Sequence, residues 1–230
     1  MTTGYLYILH GRRGKVPESN LGLLRDFAAA RGQDAVIGFL EGEEQTLEEG
    51  IRDLQTRVTR LVVVPVLLYS ATHVRWDIPR RTAAVLDPSV EMVVTDPLAT
   101  TNAIERYEER VLGEAARDYP DRRILLVVHG TPHFPEPFDQ LKALAAKVES
   151  ATGAHIVCTN HIGHPNIEET LAQEHGPFVV ERLFLTDGRL ANKIKNRVLA
   201  LEPDAVFLPT LEDDPVITDA IAERLAEIGA

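Results

Sequence analysis

The sequence predicts an α/β protein of two tandem, similar domains, each a parallel sheet flanked by helices on both faces. Three observations lead there. Short apolar runs alternate with segments of helical period along the whole chain. The runs are apolar on both faces, as strands covered from two sides must be. The order of motifs in the first half returns in the second at a nearly constant offset.

The elements follow in order. Tyr5–Leu9 is almost wholly apolar and ends at His10. Leu21–Arg31 carries apolar residues at 21, 23, 24, 27 and 28, with Gly32 behind it as a helix stop. Ala35–Leu40 is the second strand. Leu47–Val58 is a helix with 47, 51, 54 and 58 on one face. Leu61–Tyr69 is too apolar to have a wet face, Val90–Thr95 is a fourth strand, and Thr101–Leu112 is a helix rich in Glu and Arg. The pattern then restarts. Ile124–Val128 runs into His129-Gly130 as Tyr5–Leu9 runs into His10-Gly11, 119 residues on. "AVIGFLEGEEQTLEEGI" at 35–51 matches "HIVCTNHIGHPNIEETL" at 155–171, and "DPSVEMVVTDP" at 87–97 resembles "EPDAVFLPTLEDDP" at 202–215. The boundary is expected near Asp118–Asp121, giving domains 1–118 and 119–230, against the alternative of one long doubly wound sheet.

Composition narrows the function. A net charge of −11 argues against general nucleic-acid binding. Yet Gly11–Lys15 and Arg75–Arg81 are locally basic, which suits a small anionic ligand better than an anionic polymer. The single cysteine, Cys158, permits no internal disulfide and fits a reducing compartment; it is expected to be a buried strand residue. No apolar run approaches the roughly 20 residues that span a bilayer, and no leader pattern is seen, so a cytoplasmic protein without membrane association is expected.

In an open parallel sheet, ligands bind beyond the carboxyl ends of the strands. That rule selects His10-Gly11-Arg12-Arg13-Gly14 after the first strand, Glu41 after the second, and Ser70 to Asp77, including His73, after the third. A lone His10 would be read as a core residue. Two imidazoles and a carboxylate on one rim instead form an open site for Fe²⁺, Co²⁺, Ni²⁺ or Zn²⁺. Glu41 has a second reading as a helix-start anion, and Glu43 and Glu44 are expected to be solvated. Arg12, Arg13 and Lys15 follow His10, and Arg75, Arg80 and Arg81 follow His73; guanidinium forks suit carboxylates. Trp76 has two readings, one facing a ligand and one in the core.

These residues carry a resemblance. "RLVVVPVLLYSATHVRWDIP" at 60–79 resembles the most characteristic stretch of the sirohydrochlorin chelatase family, class II chelatases of sirohaem and cobalamin synthesis, with His73, Val74, Asp77, Ile78 and Pro79 in its His-Val-x-x-Asp-Ile-Pro pattern. "YILHGRRG" and "FLEGEEQTLEEGI" resemble its His-Gly-Ser-Arg and "FLE…P…EGI" segments, in family order. The resemblance implies ATP-independent insertion of Fe²⁺ or Co²⁺, with Ni²⁺ also considered, into sirohydrochlorin, a small-molecule tetrapyrrole. It implies no organic cofactor. His10 and His73 would be the catalytic pair, as metal ligands and proton acceptors, with Glu41 as a third ligand; the chemistry of the neighbouring groups offers Arg12, Arg13, Ser70 and Arg75 as binders of the substrate's carboxylates. Two fused halves would replace a homodimer, so a monomer is expected. A non-catalytic tetrapyrrole- or metal-binding protein is the alternative, kept by Arg12 standing where the family has Ser.

The second half retains His129, and His161 aligns with Glu41, but the position aligned with His73 falls near Arg189. Catalysis is therefore expected in the first half only. His155, His161 and His164 crowd the second half and are read chiefly as loop histidines, with a second metal site as the alternative. His133 and His175 suggest no partner.

Overall fold

In a computed structural model, residues 2–11 and 18–230 are described. Arg12, Arg13, Gly14 and Lys15 lie outside the described residues. The chain runs β1 (Thr3–Gly11), α1 (Leu21–Ala30), β2 (Asp34–Glu41), α2 (Leu47–Leu54), β3 (Arg60–Pro65), a π-turn (His73–Asp77), α3 (Ile78–Ala83), β4 (Glu91–Val94), a 3₁₀ turn (Leu98–Thr100) and α4 (Asn102–Asp118). It continues with β5 (Arg123–Val128), α5 (Glu136–Thr152), β6 (Ile156–Asn160), α6 (Ile167–Gln173), β7 (Phe178–Arg182), α7 (Arg189–Leu201), β8 (Val206–Phe207) and α8 (Val216–Glu227).

Two parallel four-stranded sheets result, ordered β2-β1-β3-β4 and β6-β5-β7-β8. The same order in both agrees with a duplication. The two-sided apolarity of the strands is explained by what covers them. Leu6 and Ile8 of β1 pack with Leu47, Ile51 and Leu54 of α2 and Ile78 of α3. Tyr7, between them in sequence, points to the other face, where its ring meets Phe27 of α1 edge-on at 6.3 Å. Each fully buried Leu or Ile contributes about 1.5–3 kcal/mol. In the second sheet, Leu125, Val127, Phe178 and Val180 pack with Ile167 and Leu171 of α6 and Ile194 and Val198 of α7.

Both repeats start the helix after their second strand with the same device. Thr46 and Glu49 form a reciprocal capping box at α2, and Asn166 and Glu169 form its counterpart at α6. Each box satisfies two backbone donors that helix geometry orphans. A second device repeats beside it. Arg81 pairs with Glu48 of α2 and donates to the Leu40 carbonyl at 2.7 Å. Arg197 pairs with Glu168 of α6 and donates to the His161 carbonyl at 2.8 Å. In both cases the arginine holds the glutamate's carboxyl below the ordinary range.

Several elements differ from expectation, beginning with α2, which stops at Leu54 and not at Val58. The apolar run to Tyr69 leaves the sheet after Pro65, which has no N–H for the ladder. Its carbonyls still find partners, Leu67 accepting from the Leu98 N–H at 2.8 Å and Leu68 from the Ala99 N–H at 2.9 Å. The π-turn and α3 fill a stretch that periodicity does not mark as helical. Helix α4 extends to Asp118.

The chain divides into two compact units, residues 1–101 with 217–230, and residues 102–216. These units divide at Thr101/Asn102 and again at Val216/Ile217, whereas the sequence pattern puts the repeat's boundary near Asp118–Asp121. Helix α4 comes after the first sheet in sequence but belongs to the second unit, and nearly all of α8 belongs to the first. In the first unit the buried Arg224 of α8 donates from Nε to the Pro97 carbonyl at 2.9 Å. In the second unit Glu108 of α4 and Glu181 of β7 are fully buried, and their carboxyl oxygens find no hydrogen-bond donor among the described residues. Burial pushes the Glu108 carboxyl up to about 8, and burial together with Glu108 pushes Glu181 up as well.

Candidate metal site at the strand ends of the first sheet

Parallel register brings the candidate residues to one rim. Strand β1 lies between β2 and β3, with Gly11 opposite Glu41 and Ile8 opposite Pro65. The glycine after His10 is required. Its φ is +75°, and a Cβ there would lie 2.2 Å from the Glu41 carbonyl oxygen. Gly130 repeats the demand at φ +69°, with a Cβ 2.1 Å from the Ile162 carbonyl oxygen. The His-Gly pair in each repeat thus marks where the first strand's end closes on the loop after the second.

His10, Glu41 and His73 each offer a donor atom, and these atoms all lie within 4.8 Å of one another. They form the only such group of three or more His, Cys, Asp or Glu residues among the described residues. The imidazoles meet edge-on, with Nε2 of His73 3.1 Å from Nε2 of His10 and planes at 86°. The remaining nitrogens fix the tautomers. Nδ1 of His10 lies 3.1 Å from the Gly11 carbonyl oxygen, and Nδ1 of His73 lies 2.8 Å from Oδ2 of Asp77. A carbonyl and a carboxylate only accept, so both Nδ1 atoms carry the proton and donate it. With both rings neutral the two Nε2 lone pairs face each other across 3.1 Å, and either a proton shared between them or a metal ion relieves the repulsion. With metal–nitrogen bonds of about 2.1 Å, that separation corresponds to an N–metal–N angle of about 95°. The geometry suits two cis ligands of one ion, with Glu41 to the side and further positions open.

The other candidates fall as follows. Ser70 is half-buried and Arg75 exposed, and Nε of Arg75 donates to Oγ of Ser70 at 3.4 Å. Arg80 reaches Oδ1 of Asp77 at 3.4 Å, whereas Arg81 is turned away onto Glu48. Trp76 is 63 % exposed, which overturns the core reading: in the π-turn the indole is left in solvent. Asp77 lies in the segment that the strand-end rule selects, but the sequence assigns it no contact with His73. Its four-residue spacing from His73, followed by Pro79, is the available signal, but that spacing also describes an ordinary surface ion pair.

The second rim is built from corresponding elements and is closed to a metal in this form. Nδ1 of His129 lies 2.8 Å from the Gly130 carbonyl oxygen, as in the first rim. His161, buried where the first repeat has Glu41, accepts at Nδ1 from Nη1 of Arg197 at 2.7 Å. Arginine only donates, so the His161 proton sits on Nε2 and that lone pair is lost to a metal. Burial first, then the Arg197 charge, lowers the His161 pKa to about 4, so the ring stays neutral. The two rings are 6.2 Å apart, against 4.8 Å for His10 and His73. His164 pairs with Glu169 at the surface, and exposed His155 precedes β6, at the opposite end of that strand from His161. The four histidines therefore do not converge. Cys158 is only half-buried in β6, and burial pushes its thiol up to about 12.

The architecture is that of the class II chelatases, and comparison with solved structures shows the same fold. The structure described as SirB from Bacillus subtilis with Fe³⁺ superposes with a TM-score of 0.83 at 21% identity, covering 100% of this chain and 96% of that one. The CbiX structure described as the terminal enzyme of sirohaem biosynthesis in denitrifying bacteria gives 0.69 at 18% identity, covering 97% and 98%. The chain belongs to the CbiX family, whose model matches it twice, over residues 4–115 and 123–228. Among curated relatives, the sirohydrochlorin ferrochelatase of Bacillus subtilis is 25% identical, covering 100% of this chain and 93% of its own length. The sirohydrochlorin cobaltochelatase of Methanosarcina acetivorans is 38% identical over 79 residues, 33% of this chain and 61% of its own. No helix among the described residues is long and apolar enough to cross a membrane.

Proposed function

We propose that the chain inserts Fe²⁺ or Co²⁺ into sirohydrochlorin without ATP, acting as a monomer at the rim of the first sheet. The observation that carries the proposal is the facing pair of Nε2 atoms at 3.1 Å, with both Nδ1 positions committed elsewhere and Glu41 alongside. Such a site receives an ion and can release it, because three protein donors leave positions for incoming pyrrole nitrogens. Insertion expels two pyrrole N–H protons as the dication enters. Either imidazole, once its Nε2 gives up the metal, is a base placed at that point, an arrangement that contributes about 10²–10⁴-fold. Ser70 and Arg75, with Arg12 and Arg13 from the basic segment that follows His10, bind the carboxylates of the macrocycle.

Family membership and relatives named ferrochelatase and cobaltochelatase support the substrate and the choice of metals. The test is metallation of sirohydrochlorin by Fe²⁺ or Co²⁺, followed by absorbance, with wild type and the variants His10→Ala and His73→Ala. Wild type should exceed the protein-free rate, and each variant should lose at least about 100-fold. A wild-type rate no higher than background, with a shifted macrocycle spectrum, would instead identify a binding protein.

A further inference from the structure

We infer that Asp77 is a positioning residue for metal uptake: through its hydrogen bond to Nδ1 of His73 it holds that imidazole with its Nε2 lone pair turned on the site. This rests on the reading of His10, Glu41 and His73 as the metal donors.

The local chain explains how the contact is built. His73–Asp77 forms a single π-turn, closed by the Ile78 N–H donating to the His73 carbonyl five residues back. Pro79 follows and has no N–H to give to the Arg75 carbonyl, so the ordinary α-helical bond at that step cannot form. The widened turn stacks residue 77 under residue 73 and brings Oδ2 to 2.8 Å from Nδ1. Asp77 is itself partly covered, its side chain 26 % exposed, and its other oxygen faces Arg80 at 3.4 Å. The carboxylate is therefore held from two sides.

His10 and His73 are supported differently. The neighbouring Gly11 carbonyl holds His10 through a contact that the strand end itself supplies. The orientation of His73 depends on a side chain that substitution can remove. Without Asp77, the His73 ring is free to rotate and to carry its proton on Nε2, which would point a donor at His10 and leave no lone pair for the ion. Loss of a carboxylate behind a metal-binding imidazole typically costs 10–100-fold in affinity.

The experiment titrates the metal-free protein with Co²⁺ alone and follows the visible d–d absorption, comparing wild type with Asp77→Ala, Asp77→Asn, and the double variant His10→Ala/His73→Ala. Asp77→Ala should bind Co²⁺ about 10–100-fold more weakly, with an altered band shape and an unchanged Tm. Asp77→Asn keeps an oxygen that accepts from Nδ1 and should return the affinity to within about threefold of wild type. The inference is overturned if Asp77→Ala binds Co²⁺ as wild type does, or if Asp77→Asn is as weak as Asp77→Ala. If the double variant binds Co²⁺ with wild-type affinity and spectrum, it is the assignment of the metal donors that fails, and this is read independently of Asp77.

Discussion

The two glycines that follow the first-strand histidines allow the site to be separated from the fold. Gly11→Ala and Gly130→Ala impose nearly the same local insult. Both glycines have a positive φ, +75° and +69°, and a Cβ would lie 2.2 Å and 2.1 Å from a facing carbonyl oxygen. The left-handed conformation costs a non-glycine residue roughly 1–2 kcal/mol. The contact is about 1 Å shorter than an ordinary carbon–oxygen approach of about 3.3 Å, so the two segments must part by about that much. Together these predict a loss of about 2–4 kcal/mol in each variant, measured by urea denaturation. Function should not fall equally. In Gly11→Ala the displaced pair is Gly11 and Glu41, directly beside His10, and an error of about 1 Å in a catalytic array can cost about 10²-fold. In Gly130→Ala the displaced rim is the one that Arg197 closes to metal. Initial rates of Co²⁺ insertion per folded molecule should therefore drop about 100-fold in the first variant and less than about threefold in the second. Equal losses of rate in the two variants, or a Gly11→Ala protein with wild-type rate, would refute the assignment of chemistry to the first rim.

Two further outcomes concern the groups buried away from that rim. The Glu108 carboxyl is raised from 4.5 to about 8, so its protonated form is favoured in the folded state; the stability this allows is complete below about pH 4.5 and is lost as pH rises to about 8. Glu108→Gln removes the ionisation, and its stability relative to wild type should grow across that window and level off above it. Urea denaturation at a series of pH values checks this, and parallel profiles would exclude it. Arg224→Ala leaves the Pro97 carbonyl without the Nε donor that now lies at 2.9 Å, which should cost about 1–3 kcal/mol in thermal or urea unfolding while leaving Co²⁺ affinity at the first rim unchanged.

The convergence of His10, Glu41 and His73 could be read from the sequence because strand ends are set by local apolar pattern. Three apolar runs ending in polar residues, in a parallel sheet, must deliver those residues to one side. What escaped reading depends on contacts remote in sequence or on turn geometry. Glu108 sits in a helix so rich in Glu and Arg that it reads as solvated, and only the packing of α4 in the second unit buries it. His161 aligns with Glu41 and reads chiefly as a loop histidine, but it is buried, and a guanidinium 36 residues away takes its nitrogen. Trp76 has two readings in the sequence, facing a ligand or in the core, and only the π-turn, which has no periodic signature, decides against the core. Asp77 was visible as a motif residue, while its action through His73 appears only in the three-dimensional contact.

The division of the helices has a consequence for how the chain is finished during synthesis. The second unit is one continuous stretch, 102–216, whereas the first needs residues from both ends of the chain. A nascent chain emerging N-terminus first can complete the second unit while the first still lacks residues 217–230. The unit that holds His10, Glu41 and His73 is begun first and closed last. A stop codon in place of Ile217 would thus spare the later-encoded unit and leave the earlier-encoded one, with His10, Glu41 and His73, unfinished.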